Sequence, residues 1–485
     1  MLDSRLKLCA EMVSGIGITC DVGTDHAYLA CELVKSGKCQ KVIATDINSG
    51  PLNAARQTSE KYGVSDKIEL VLTNGLQGIN PENISDIVIA GMGGETIIGI
   101  LNGHKWLKDG VNIILQPMSK DELLRKWLYD EGFQITEEKV AEDDKFIYSV
   151  MKVIFVGEAI SITDFSAIVG RIDYLSDNVA KKYVMRRADK LLSIAKALYS
   201  AGKINIADEK YKLALQLKNV VENSYVSTND VFNLMDFYFP FKYQEKWDNS
   251  GFLVGNPEMA VHNILLTLDI TNESIYEAMK KKCELIISHH PVIFEPLKQI
   301  SYNSPVNNLI KNNISAICSH TCLDVADNGV NDAMYNIISK TFKVSDSSEV
   351  FEISTSDGHG YGKVCELENE CDTAEFAEKL KIAFNCSVVR FSRNVKKVKR
   401  FAFVSGSGGS MLDIAIEKKC DCLITGDVKH DVWIKAENCG LSIFDCGHFH
   451  TENIVLKRLK CVIEANYPLL NVTIADSSVD PVRYI

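Results

Sequence analysis

A chain of 485 residues with 46% hydrophobic and 24% charged side chains is too long for one typical core and has the composition of an ordinary folded protein, so two or three domains are expected. A net charge of −11 excludes a uniformly basic nucleic-acid binder, and no apolar run approaches the roughly 20 residues that span a bilayer, so no membrane association is predicted. The fifteen cysteines, odd in number and set in apolar runs such as Ala316-Ile317-Cys318, read as reduced, buried thiols. With Met1-Leu2-Asp3-Ser4-Arg5 lacking the basic and apolar segments of a secretory signal, the expected location is the cytoplasm.

From residue 16 to about 156, β-branched runs at Ile16–Val22, Lys41–Asp46, Lys67–Leu72, Asp86–Ala90 and Val111–Gln116 alternate with helical patterns at Ala27–Lys35, Pro51–Tyr62 and Lys120–Gly132. This rhythm predicts a doubly wound α/β sheet over residues 1–156. Residues 163–222 contain no proline and predict a pair of helices broken near Gly202, with Ile168, Ile172, Leu175 and Val179 on one stripe. Residues 157–222 carry 11 Lys+Arg against 8 Asp+Glu, and Lys181, Lys182, Arg186, Arg187 and Lys190 form its densest basic stretch. The segment 157–224 reads either as a solvated helical hairpin or as a surface for RNA. A linker is expected around Glu222–Thr228, and a second α/β domain over 228–485. Its strands are read at Ile264–Asp269, Leu285–Ser288, Ala316–Ser319, Phe401–Ser405, Cys422–Thr425 and Ser442–Asp445. Ile286-Ile287-Ser288-His289 and Ile317-Cys318-Ser319-His320 echo one another and suggest two related halves.

The first strand runs into Asp21-Val22-Gly23-Thr24-Asp25-His26, a carboxylate and a glycine just before a helix, where backbone N–H groups can approach a ligand. The spacing is not that of a dinucleotide-binding GxGxxG loop. Asp46 ends the second strand, where a carboxylate accepts ribose hydroxyls. A nucleoside without a diphosphate points to S-adenosylmethionine. Gly91-Met92-Gly93-Gly94 and Gln116-Pro117-Met118 end the next two central strands at the same edge. The candidate cofactor contacts are therefore Asp21, Gly23, Thr24, Asp46, Gly75, Gly91, Met92, Gly93 and Gln116. Asp25 is the candidate group for orienting an acceptor amine, and His26 is either its catalytic partner or a helix cap.

These motifs resemble the TrmK-type tRNA (adenine 22, N1) methyltransferases over residues 1 to about 222. The likeness rests on the Asp21–His26 loop, Asp46 with Gly50-Pro51, Asn74-Gly75-Leu76, Gly91–Gly94 and Gln116-Pro117. It implies methyl transfer to N1 of an adenine in tRNA, with the basic helical hairpin as part of the RNA surface. Met118 departs from the family's Gln-Pro-Asn pattern.

Downstream, histidines and acids collect at predicted strand ends: His289 and His290, His320 and Asp324, and His448 with Glu452. Adjacent residues on a strand point to opposite faces, so His289 and His290 suit two different ions. His448 and Glu452, four apart at a helix start, share a face from which a carboxylate can bridge two cations. His450 falls opposite. Asp427 and His430 are candidate supports or substrate contacts. The segments Trp247–Gly251, Ser288–Pro291, His320–Asp324, Gly329–Asp332, Ser405–Gly408 and Gly447–Glu452 resemble the GTP cyclohydrolase type 2 homologue family, also called Nif-three-like. That resemblance implies a di-metal site of His289, His290, Asp324, His448 and Glu452 holding zinc, iron, manganese or magnesium, within a homo-oligomer. Two readings stay open: a tRNA methyltransferase joined to a metal-dependent hydrolase, or a metal-binding scaffold carrying a half that only binds S-adenosylmethionine.

Overall fold

The computed structural model describes residues 2–483 apart from 109, 144, 145, 224, 346, 347 and 393. The chain divides into two compact α/β units, Met1–Tyr225 with Ala465–Leu469, and Val226–Glu464 with Leu470–Ile485. No helix of the described residues is long and apolar enough to cross a membrane.

In the first unit α1 (Ser4–Met12) precedes β1 (Ile18–Val22), α2 (Tyr28–Lys35), β2 (Val42–Asp46), α3 (Ser49–Tyr62), β3 (Ile68–Leu72), β4 (Ile84–Gly93), α4 (Gly94–Leu101), β5 (Asn112–Ser119) and α5 (Asp121–Asp130). An antiparallel pair follows, β6 (Phe133–Asp143) and β7 (Phe146–Phe155). The seven strands are ordered β3-β2-β1-β4-β5-β7-β6, with the first five parallel. Cys20, Val42, Ala44 and Ile87–Ile89 are fully or nearly fully buried, as expected for strands covered on both faces. The strand order reverses direction between β1 and β4, so the loops after β1, β2, β4 and β5 open on one edge, where α/β sheets receive ligands. The final two strands were not part of the sequence reading. They alternate between inward and outward residues, a pattern weaker than the solid apolar runs of the central sheet.

Beyond this sheet lie α6 (Asp164–Val169), α7 (Asn178–Ser200) and α8 (Ile204–Asn223), the last two forming a hairpin that turns at Gly202. The expected stripe Ile168–Ile172–Leu175–Val179 is not one helical face. Gly170, at φ 70°, ends α6, and Asp173 accepts from the backbone N–H groups of Leu175 and Ser176 in a turn. Asp177 then caps α7 by accepting from Val179 and Ala180. Local side-chain acceptors thus replace the helix that the apolar spacing suggests. The expected linker is compact: α8 continues to Asn223, and Ser227 forms a capping box with Asp230 at the next helix, while Ser224 lies outside the described residues.

The second unit opens with β8 (Val226–Ser227), α9 (Thr228–Tyr238), β9 (Gly251–Val254), β10 (Ala260–Val261), β11 (Asn263–Thr267) and α10 (Asn272–Lys280). Next come β12 (Leu285–Ser288), α11 (Pro305–Lys311), β13 (Ser315–Cys318), α12 (Thr321–Val325) and α13 (Val330–Thr341). The chain goes on through β14 (Glu349–Ile353), β15 (Gly360–Asp372), α14 (Thr373–Ala383), β16 (Arg390–Phe391), β17 (Lys397–Phe403) and α15 (Leu412–Glu417). It closes with β18 (Cys422–Thr425), α16 (His430–Cys439), β19 (Ser442–Asp445), α17 (His448–Glu452), α18 (Val455–Asn466) and β20 (Asn471–Ile474). Among the described residues these form a five-stranded sheet, β20-β11-β12-β13-β9, a six-stranded sheet, β14-β15-β17-β18-β19-β16, and a short antiparallel pair, β10-β8. The two Ser-His echoes are neighbouring parallel strands of one sheet, with Ser288 opposite Cys318. The strands β12, β13 and β19 are buried throughout, and each delivers a histidine or acid just past its last residue.

Candidate functional site

At the N-terminal edge, Gly23 and Thr24 both donate backbone N–H groups to the carbonyl of Thr45, at 2.8 and 2.9 Å, tying the loop after β1 to β2. Gly23 has φ 74°, and a Cβ there would come within 2.1 Å of Cε of Met92, so the loops after β1 and β4 meet at this glycine. Asp21, 4% exposed, accepts from Thr24 Oγ1 at 2.6 Å. Burial pushes its pKa up to about 6, against that hydrogen bond. Asp46, half-buried one strand over, accepts from the N–H of Asn48 at 2.8 Å. Gly75, at φ 61°, carries the carbonyl that accepts from Thr45 Oγ1 at 3.4 Å.

Gln116 is fully buried, and its Oε1 accepts from Gly91 N at 3.0 Å and from Arg5 Nη1 at 2.6 Å, while its Nε2 donates to the carbonyl of Pro117. Gly91 and Gln116 therefore form one locked wall, beside which Met92 and Gly93 pair with Pro117 and Ser119. Asp25 and Ala27 adopt φ 49° and 55°, a region that non-glycine residues seldom occupy. Such geometry turns the Asp25 and His26 side chains outward, 73% and 50% exposed, and 3.8 Å apart. The His26 and Tyr28 rings lie 5.6 Å apart.

On α7, Lys182 and Lys190 are exposed and Lys181 is half-buried; Lys182 and Arg186 approach Glu142 at 3.2 and 3.9 Å. Arg187 points elsewhere. It donates to both oxygens of Asp121, at 2.6 and 2.7 Å, and contacts Glu122 and the Tyr183 hydroxyl.

In the second unit, four histidines are held by the same device. His289 Nδ1 donates to the Ser319 carbonyl at 3.0 Å, because a carbonyl can only accept. His290 Nδ1 meets Asp269 at 2.8 Å, His448 Nδ1 meets Asp427 at 3.0 Å and His320 Nδ1 meets Asp248 at 2.8 Å. With Nδ1 anchored in this way, each Nε2, once free of a proton, presents a lone pair. These lone pairs converge on carboxylates: His448 Nε2 and His290 Nε2 stand 2.9 and 3.1 Å from Glu452 Oε2, and His289 Nε2 stands 3.7 Å from both Asp324 and Glu452. Nε2 of His289, Nε2 of His448 and Oε2 of Glu452 are nevertheless buried without a directed hydrogen bond. Nitrogen and carboxylate donors this closely packed need a proton or a metal cation between them, and the donor set fits divalent metal ions. Three triads have ligand atoms within 4.8 Å of one another: His290, His448 and Glu452; His289, Asp324 and Glu452; and His289, His290 and His320. Glu452, His289 and His290 each belong to two of them, and Glu452 is the carboxylate that would be shared if two ions were bound.

Electrostatics follow from this crowding. Burial opposes charge on His290, but Asp269 and Glu452 outweigh it and lift its pKa to about 10. Burial pushes Asp324 up to about 7, with His289 opposing and the Glu452 charge adding to it. Asp248 is held well below the ordinary carboxylate range, because the hydrogen bonds from His320, Thr321 and Ser250 overcome burial. His450 faces away, with Nε2 at 3.4 Å from Asp480, and His430 opens α16.

Sequence reasoning gave no role to Asp269, Asp248 or Gly406, and it named His320 among the clustered donors but left it out of the ligand set. The signal for Asp248 lay in Trp247–Gly251 and that for Gly406 in Ser405–Gly408; Asp269, two residues past β11, carried none. Gly406, at φ 59°, sits against Glu452 and His448, and a side chain there would enter the cluster.

These two edges define a two-part α/β protein, one sheet of methyltransferase type and one domain built around clustered metal-ligand residues. The chain belongs to the Duf34/NIF3 (NGG1p interacting factor 3) family, whose model matches residues 226–481, and a methyltransferase domain model matches residues 2–151. It is 29% identical over 273 residues to a GTP cyclohydrolase 1 type 2 homologue of Clostridium acetobutylicum, covering 53% of this chain and 99% of that protein. It is 32% identical over 234 residues to the homologue of Clostridium perfringens, covering 47% and 87%. Among solved structures, a Streptococcus pneumoniae protein described as a candidate tRNA (m1A22) methyltransferase is 32% identical, covering 45% of this chain and 99% of that one, with a TM-score of 0.41. A Staphylococcus aureus hypothetical protein is 28% identical, covering 53% and 99%, with a TM-score of 0.47.

Proposed function

We propose that the N-terminal half transfers a methyl group from S-adenosylmethionine to N1 of adenine 22 in tRNA, and that the C-terminal half is a di-metal hydrolase. The observation that carries the first part is the junction of Gly23 with Met92, which joins the loops after β1 and β4 beside the buried Asp21. A buried carboxylate with a raised pKa is poised for a cationic group, and open glycine backbone at Gly23 and Gly91 admits a ligand. Asp21, Gly23, Thr24, Asp46, Gly75 and the Gly91–Gln116 wall would hold the cofactor, which when bound supplies an electrophilic methyl group. Asp25, exposed at the loop tip, is assigned to orienting the acceptor amine, with His26 beside it. Lys181, Lys182, Arg186 and Lys190 supply positive charge for the RNA backbone. Arg187 instead braces their helix.

For the C-terminal half, His289, His290, Asp324, His448 and Glu452 would hold the two ions, which when bound supply Lewis acidity. A hydrolase is favoured over a sealed scaffold by a cavity of about 240 Å³ lined by Asp269, His290, Asp427, His448 and Phe449, so that two of the five proposed ligands border it.

The test incubates the full chain with unmodified tRNA and methyl-labelled S-adenosylmethionine, then maps the product by nuclease digestion and mass spectrometry. Label at N1 of adenine 22, lost when that base is replaced by guanine, is the expected result. Label on another base or none at all overturns the reading.

A further inference from the structure

Arg5, near the start of α1, lies where no sequence motif pointed. Asp3 caps α1 by accepting from Leu6 N at 2.9 Å, and its other oxygen accepts from Arg5 Nε and Nη2 at 3.1 and 2.9 Å. This clamp aims Nη1 at Gln116 Oε1, 2.6 Å away, and the same oxygen receives Gly91 N. A Cβ on Gly91 would lie 3.5 Å from Arg5 Nη1, so the guanidinium rests on the ends of β4 and β5. Its side chain is only 18% exposed. Among the described residues its oxygen acceptors are Asp3 and Gln116, which engage three of its five N–H groups. Met118, whose sulfur lies 3.8 Å from Nη1, covers the guanidinium without offering a charged partner.

A pre-aimed guanidinium with donors to spare matches a carboxylate in geometry and charge. The amino-acid tail of S-adenosylmethionine carries one ammonium and one carboxylate, and Asp21 is the buried acid suited to the first. Arg5 supplies the opposite charge nearby: both groups act on the buried Cys9 thiol, Arg5 favouring its ionisation and Asp21 opposing it. We propose that Arg5 binds the α-carboxylate of the methyl donor, fixing the amino-acid tail between α1 and the ends of β4 and β5. This assignment rests on reading the N-terminal half as a user of S-adenosylmethionine.

The experiment measures binding by titration calorimetry on the full chain with S-adenosylmethionine and with decarboxylated S-adenosylmethionine, which differs only in lacking that carboxylate. Wild type is expected to prefer the complete ligand by about 10- to 100-fold, the worth of a charged hydrogen bond. In Arg5→Gln the preference falls to within about twofold, while Arg5→Lys retains part of it. Both ligands are compared on one variant, so a general folding defect cancels in the ratio. A wild-type preference kept in Arg5→Gln, with both ligands weakened equally, overturns the assignment and leaves the methyl-donor reading intact. Wild type binding neither ligand overturns both.

Discussion

The Cβ that Gly406 lacks would stand 2.1 Å from Oε1 of Glu452 and 3.4 Å from Nε2 of His448. A glycine three residues past β17 is thus the floor under the shared carboxylate of the ligand cluster. On the di-metal reading, Gly406→Ala is expected to push Glu452 out of register and reduce bound metal from the proposed two ions per chain to one or none, with every proposed ligand still present. Elemental analysis after gel filtration checks this; two ions retained would remove Glu452 from the bridging position.

Asp269 and Asp427 hold the Nδ1 protons of His290 and His448, so they act on the cluster through its ligands. Asp269→Asn is expected to weaken metal binding about 10- to 100-fold, and His290→Ala to lower the metal content itself. Since His290 in the metal-free chain is lifted to about 10, an ion must displace its proton, and binding should release protons at pH 7. Calorimetry in two buffers of different ionisation enthalpy counts them; identical apparent heats would contradict the protonated ground state.

The parts visible from sequence and those hidden differ in how locally they are encoded. The central strands β1, β2, β4 and β5 of the first sheet announce themselves as apolar runs, and Asp21, Asp46, Gly91 and Gln116 stand at or near their ends. The ligand histidines were legible for the same reason, since His289 and His448 directly follow or nearly follow β12 and β19. Hidden were features made by contacts across the chain: the clasp of Asp269 on His290, the crowding of Glu452 by Gly406, and Arg5 reaching Gln116 across 111 positions. The β6–β7 pair was hidden because partly solvated antiparallel strands alternate weakly. The α6–α7 break escaped because apolar spacing says nothing of a glycine at positive φ.

Asp21 gives a pH signature. Its pKa rises from 3.8 in the unfolded chain to about 6 in the fold. Between these values the folded state keeps a proton that the unfolded state has lost, so stability falls as pH rises through that window. Above it the penalty is complete, at most about 3 kcal/mol. Asp21→Asn should therefore raise the melting temperature of the ligand-free N-terminal unit at pH 7.5, have little effect at pH 3.5, and abolish cofactor binding. Thermal scans at the two pH values decide; destabilisation at pH 7.5 would show that the carboxylate is already compensated within the fold.

Arg125 is the cation that ties the basic hairpin to the sheet. Its guanidinium is fully buried, donating to Glu138 Oε1 at 3.1 and 2.7 Å, to the Ala167 carbonyl at 2.6 Å and to the Tyr183 hydroxyl at 3.0 Å. Tyr183 in turn donates to Asp121, which also binds Arg187. Five residues from α5, β6 and α7 therefore share one network, and its charges are compensated only while all are present. Arg125→Met leaves Glu138, itself fully shielded, without its cation, and is expected to cost about 3–5 kcal/mol. Arg125→Met combined with Glu138→Leu removes the stranded charge and should recover much of that loss. The single variant should melt earlier in a denaturant titration followed by circular dichroism, and it should bind tRNA more weakly than the double variant, because the orientation of α7 depends on the network. Equal stability of single variant and wild type would mean that solvent reaches Glu138 and that the hairpin is held without the Arg125 charge.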